Sequence, residues 1–174
     1  MPTPCRMAEG AGFHAGLECS AQADHPVQFV PMTQERHWQP IADFAAAHPC
    51  TICGEPTEVK WWGPAFRLDG ELKYSHQLPP GTLYWEYWHP EKCHYWDNCD
   101  GKHLHAVLPN GNHWSIDSRA SNCTMPEERT HRCWVREGTP PQLTVGKNGF
   151  TCKAGAGSIL SGDYHGFLRN GALT

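Results

Sequence analysis

The sequence predicts an α+β fold that is mostly β: a small, zinc-stabilised antiparallel sheet domain with long loops and an irregular N-terminal arm. Three observations carry that expectation. Fifteen Pro and seventeen Gly are spread along 174 residues, and such punctuation leaves short strands and turns rather than long helices. Apolar residues make up only 39%, much of it from eight Trp, five Tyr and nine Cys, so the aliphatic core is expected to be thin. The 11% aromatic content argues against a disordered chain. Loop-rich domains with small cores are generally fixed by disulfides or metals.

The N-terminal segment, residues 1–37, reads as the arm. Pro2, Pro4, Gly10, Gly12, Gly16, Pro26 and Pro31 interrupt any helical or alternating period, with Cys5, His14, Cys19 and His25 scattered between them. An arm of this kind is expected to be ordered by a partner. Residues 38–174 form the domain. A helix is predicted from Pro40 to His48, with Pro in its first turn and Pro49 forcing its end. Strands are predicted over 58–62, 82–88, 103–108 and 113–117, where aromatic or β-branched runs are bounded by Pro and Gly. Asn110-Gly111 marks the last two as a hairpin. Further strands are expected over 132–136 and 142–145. The small-residue loop 154–158 lacks the Lys and the strand-to-helix setting of a phosphate loop and reads as a tight turn.

Metal is favoured over disulfides as the cross-link. No charged and then apolar leader and no run of eighteen apolar residues is visible, so a soluble protein of a reducing cytoplasm is expected. Nine is an odd number of cysteines, twelve His is high, and Cys50-Thr51-Ile52-Cys53-Gly54 is a C-x2-C-G knuckle that wraps amides around a tetrahedral ion. The expected first zinc site is Cys50, Cys53, Cys93 and Cys99, its halves coming from two loops. The expected second is Cys123, His131, Cys133 and Cys152. His131 and Cys133, at i and i+2, would share one face of a strand. A disulfide within that second set, formed on a released virion, is the alternative, as are unlinked core cysteines.

Catalytic signals are weaker. His103, His105 and His113 lie in the hairpin near Asp117 and could build an open metal site for a zinc-dependent hydrolase, but packing in a Trp-rich sheet is the plainer role. Neither H-E-x-x-H nor the H-x-E with P-C-x-x-C of deaminases is present. Asp117-Ser118-Arg119-Ala120-Ser121-Asn122 reads as a braced turn before Cys123. A formal charge of -4 with fourteen Lys and Arg disfavours a nonspecific nucleic-acid grip.

From Cys93 onward the pattern Cys93-His94-Tyr95-Trp96-Asp97-Asn98-Cys99-Asp100-Gly101, Trp114-Ser115-Ile116-Asp117-Ser118-Arg119-Ala120-Ser121-Asn122-Cys123, His131-Arg132-Cys133-Trp134-Val135-Arg136 and Ala154-Gly155-Ala156-Gly157-Ser158-Ile159 resembles a Cys/His-rich protein family of tailed bacteriophages and prophages. The resemblance spans residues 89–174. It implies a phage or prophage origin and brings with it no activity or active site. The expected function is therefore that of a phage-encoded, zinc-binding, noncatalytic binding or assembly protein, a minor virion component or a protein of the host cytoplasm. Its partners would be other phage or host proteins, with no membrane involved. An inhibitor of a host defence protein is a further reading of the same kind.

Overall fold

A computed structural model of the chain describes residues 1–32, 41–87, 102–125, 127–128, 131–147, 152–154 and 157–174. The described chain is mostly β, as expected, with one short helix. It divides into two compact units, Gly10–Gln77 and Met1–Glu9 with Leu78–Thr174. That division does not fall at residue 37. The segment expected to be an irregular arm instead carries β1 (Thr3–Pro4), β2 (Arg6–Cys19) and β3 (Gln28–Pro31), and the chain passes from one unit to the other within β2.

In the unit Gly10–Gln77, β3 lies antiparallel to β2, from His14 opposite Pro31 to Leu17 opposite Gln28. On its other side β2 neighbours β4 (Thr57–Leu68), which pairs antiparallel with β5 (Glu71–Tyr74). Asp69 and Gly70, both at positive φ, make the two-residue turn between them. Gly16 looked like a breaker in the sequence but sits inside β2, because a Cβ there would stand 2.6 Å from the Tyr74 hydroxyl. A glycine in a strand often marks such an approach. The expected helix appears as α1 (Ile41–Ala46); residues 33–40 lie outside the described chain. Phe44 of α1 packs on Ala15 and Leu17 of β2, with Val30, Met32 and Val59 around them. Thr57 Oγ1 donates to His48 O at 2.8 Å, with Ala45 O, which accepts from His48 N–H, at 3.2 Å, so the hydroxyl satisfies a carbonyl just past the helix end.

In the other unit, β6 (Thr82–Tyr87), β7 (Lys102–Val107) and β8 (His113–Ser115) form an antiparallel run, and Arg6–Ala8 of β2 joins it parallel to β6. The hairpin expected around Asn110-Gly111 is β7–β8, closed by Leu108 N–H donating to Asn112 O at 2.8 Å and Gly111 N–H to Leu108 O at 2.8 Å. Beyond it lie the pairs β9 (Val135–Thr139) with β10 (Gln142–Gly146), and β11 (Ile159–Ser161) with β12 (Tyr164–Gly166). β1 pairs with β14 (Ala172–Leu173), which also pairs with β13 (Leu168–Arg169).

The pleat sorts the side chains of β6–β8 into two faces. Leu83, Leu104, Ala106 and Trp114 point into the core with Leu108, Ile116, Leu143, Val145, Ile159, Leu168 and Leu173. Tyr84, His103, His105 and His113 share the other face by register. The core is therefore mostly Leu, Ile and Val with Trp114 among them, whereas Trp85 and Trp134 pack half-buried against it and Trp62 is exposed. The thin aliphatic core expected from composition is not what the fold uses: the few Leu and Ile are concentrated at inward positions. Leu104, fully buried, is expected to cost about 2–5 kcal/mol when changed to Ala. Denaturant unfolding of the metal-loaded protein measures it; a loss below about 1 kcal/mol would contradict this core.

Candidate metal centres

The first centre begins at the Cys50–Cys53 knuckle. Cys50 N–H donates to Glu55 O at 2.9 Å and Gly54 N–H to Cys50 O at 2.8 Å, so the chain turns back on itself within five residues. Gly54 completes the turn at φ 76°, a conformation that costs other residues more. The turn aims amides at sulfur: Cys50 Sγ accepts from the N–H groups of Cys53 and Ile52, and Cys53 Sγ from Glu55.

The partners of the knuckle are Cys19 and His25. Cys19 ends β2 and is steered by Ser20 N–H donating to Pro56 O at 2.9 Å, while His25 sits in a turn closed by its own N–H on Gln22 O at 3.3 Å. Cys19 Sγ lies 3.6 Å from Cys53 Sγ, and His25 Nδ1 lies 3.4 Å from Cys50 Sγ and 3.6 Å from Cys53 Sγ. A tetrahedral ion with metal–sulfur bonds of about 2.3 Å and metal–nitrogen bonds of about 2.0–2.1 Å has edges of roughly 3.8 Å between sulfurs and roughly 3.5 Å from sulfur to nitrogen. The observed separations match those edges. Gln28 of β3 braces the knuckle by accepting from Thr51 N–H and donating to Pro49 O at 3.3 Å. The expected partners Cys93 and Cys99 lie outside the described residues.

The second centre is the set the sequence indicated. The ligand atoms of Cys123, His131, Cys133 and Cys152 all lie within 4.8 Å of one another, as do those of the first centre. Cys133 Sγ is 3.6 Å from His131 Nε2 and 3.7 Å from Cys152 Sγ, again tetrahedral edges. Cysteine-plus-two amides recur here, with Met125 N–H donating to Cys123 Sγ at 3.4 Å and Ala154 N–H to Cys152 Sγ at 3.3 Å; Ala120 N–H reaches Cys133 Sγ at 3.2 Å. His131, Cys133 and Cys152 are buried, and Cys123 is half-buried. His131 and Cys133 precede β9 rather than lying on it. The seven described cysteines are unbridged, with the Cys133 and Cys152 sulfurs 3.7 Å apart.

Asp117 holds the frame behind the second centre. Its carboxylate accepts from Leu104 N–H at 2.8 Å, from Arg136 Nε at 3.0 Å and from Arg132 at 3.4 Å. Arg132 stands between His131 and Cys133. Arg119 donates to the carbonyls of Met125 (3.4 Å) and Glu128, spanning the loop from Cys123 toward His131. The 117–122 segment thus braces, as expected, with Asp117 and Arg119 reaching different partners. Trp134 meets both Cys133 and the core ring of Trp114, edge-on at 5.3 Å.

The thiols are tuned for metal. The amides of Cys53 and Ile52, with His25 adding to them, draw Cys50 down to about 6, and hydrogen bonding to Cys50 raises His25. At the second centre burial works to raise Cys152, but the amides of Thr124 and Ala154 together with His131 lower it to about 6. Burial pushes Cys133 up to about 12. One sulfur of each centre is thus a thiolate at neutral pH, and a bound cation is what would keep its neighbours deprotonated as well.

The hairpin histidines form no third centre among the described residues. Tyr84 OH lies 2.7 Å from His113 Nδ1, and His105 Nε2 lies 3.0 Å from Glu86 Oε2. Burial first, then His103 and His113, lower His105 to about 4, which keeps it neutral. His103 and His105 share a face, as expected, but Asp117 is engaged elsewhere. No family model, characterised protein or solved structure matches the chain, and among the described residues no helix is long and apolar enough to cross a membrane.

Cys19→Ser should remove one equivalent of bound metal, measured by elemental analysis, while Cys5→Ser, in the core away from both centres, should remove none. Protons compete with metal for the same thiolates, so metal is retained at neutral pH and released as the solution is acidified. Titration with a metallochromic dye follows that release; a metal affinity independent of pH would contradict thiolate ligation.

Proposed function

We propose that this chain is a zinc protein without catalytic chemistry at its metals, a phage-encoded binding or assembly protein whose two Cys3His centres fix the loops that other proteins meet. The observation that carries the reading is the pair of four-membered ligand sets at tetrahedral spacing. Three thiolates and an imidazole suit zinc among the common cations. Four protein ligands close the coordination sphere, whereas a hydrolytic zinc keeps one position for water. The resemblance of residues 89–174 to the phage family supports the origin. Residues 3–31 carry β1, β2 and β3, so the binding reading leans on the closed ligand sets rather than on an irregular arm.

The hydrolase reading has less behind it, because Asp117 is held by Arg132, Arg136 and the Leu104 amide. Cobalt substitution tests the choice. Two equivalents with intense thiolate charge-transfer bands and tetrahedral d–d bands are expected, insensitive to added azide. An azide-sensitive spectrum would mean an open position and an enzyme. Chelation of zinc should lower the melting temperature by on the order of 10 °C or more, since metal binding is part of the folding free energy. An unchanged transition would refute the structural role.

A further inference from the structure

We infer that Cys53 is a peroxide-sensitive ligand and that its oxidation to a disulfide with Cys19 empties the first zinc centre while the second stays loaded; this rests on the zinc reading above. The two centres share chemistry but not access. Cys53 is the single exposed cysteine among those described, and its sulfur lies 3.6 Å from that of Cys19. At the second centre the close pair, Cys133 and Cys152 at 3.7 Å, is buried on both sides, and only Cys123 is half-buried. Oxidation of cysteine follows thiolate character and exposure. Zinc supplies the first by holding its sulfurs as thiolates, so exposure decides which centre reacts.

The chemistry balances with hydrogen peroxide as the oxidant. Cys53 thiolate attacks one peroxide oxygen; the S–O bond forms, the O–O bond breaks, and hydroxide leaves and is protonated to water. The sulfur, now a sulfenic acid, has lost two electrons to the peroxide. Cys19 thiolate attacks that sulfur; the S–S bond forms, the S–O bond breaks, and a second hydroxide leaves as water. Zinc is left with Cys50 and His25 and dissociates. Cys50 is the less suited partner, because it accepts two amide N–H bonds and is held by the Gly54 turn, whereas the Cys19 sulfur already lies 3.6 Å from that of Cys53.

The test uses the full chain loaded with zinc. Elemental analysis before oxidation should give two zinc ions per chain, and fewer would overturn the zinc reading itself. Hydrogen peroxide is then added with a chromogenic zinc dye. One equivalent should be released at least about tenfold faster than the second, peptide mapping should find Cys19 linked to Cys53, and dithiothreitol with zinc should restore the loaded protein. Retention of both ions, loss of both at one rate, or a Cys50–Cys53 link would overturn the proposal. Cys53→His keeps four ligands and should hold both ions through the same treatment; release from it at the wild-type rate would also overturn it.

Discussion

Four candidate ligand atoms drawn from three separate stretches of chain are the constraint around which the loops of the unit Gly10–Gln77 are arranged. The end of β2 supplies Cys19, the following turn supplies His25, and the segment after α1 supplies Cys50 and Cys53. One buried cluster of this unit centres on Ala15, Leu17 and Phe44, and Ala65, Phe66, Leu68 and Tyr74 of β4 and β5 are buried besides. A cation that ties the three stretches together closes those loops at once, and metal binding of this type is folding free energy.

The second centre depends on the same physics but sits in a stronger setting. Leu83, Leu104, Leu143, Ile159 and Leu168 give its unit a continuous aliphatic core. Trp134 joins that core to Cys133, and Asp117 ties Arg132 and Arg136 to the backbone of β7. Asp117 is almost wholly buried, and a buried carboxylate is tolerated only where donors surround it. The ligands are thus held by a frame that exists apart from the ion.

In both centres the local signature is a backbone turn that presents amide N–H groups to sulfur. Cys50 receives Ile52 and Cys53, Cys53 receives Glu55, Cys123 receives Met125, and Cys152 receives Ala154. Gathering thiolates without such donors would leave charge uncompensated at short range. Directed dipoles lower that cost before any cation arrives.

The sequence by itself determined the local events. Cys50-Thr51-Ile52-Cys53-Gly54 announces its turn because spacing and glycine encode it, Asn110-Gly111 announces the β7–β8 hairpin, and Cys123, His131, Cys133 and Cys152 lie within thirty residues of one another. Only the tertiary structure decided what the knuckle meets. The spacing Cys19-x5-His25 was visible, but Gly12 and Gly16 hid the strand before it, because a glycine that admits the Tyr74 hydroxyl looks in sequence like one that breaks a period. The aromatic runs were equally ambiguous: strand alternation tells that Leu83 and Trp85 point the same way, but whether the Leu or the Trp lies at the centre depends on the facing layer. Periodicity records which residues share a face; it carries no information on which distant segment covers that face, and the ligands of the first centre and the composition of the core were both settled at that level.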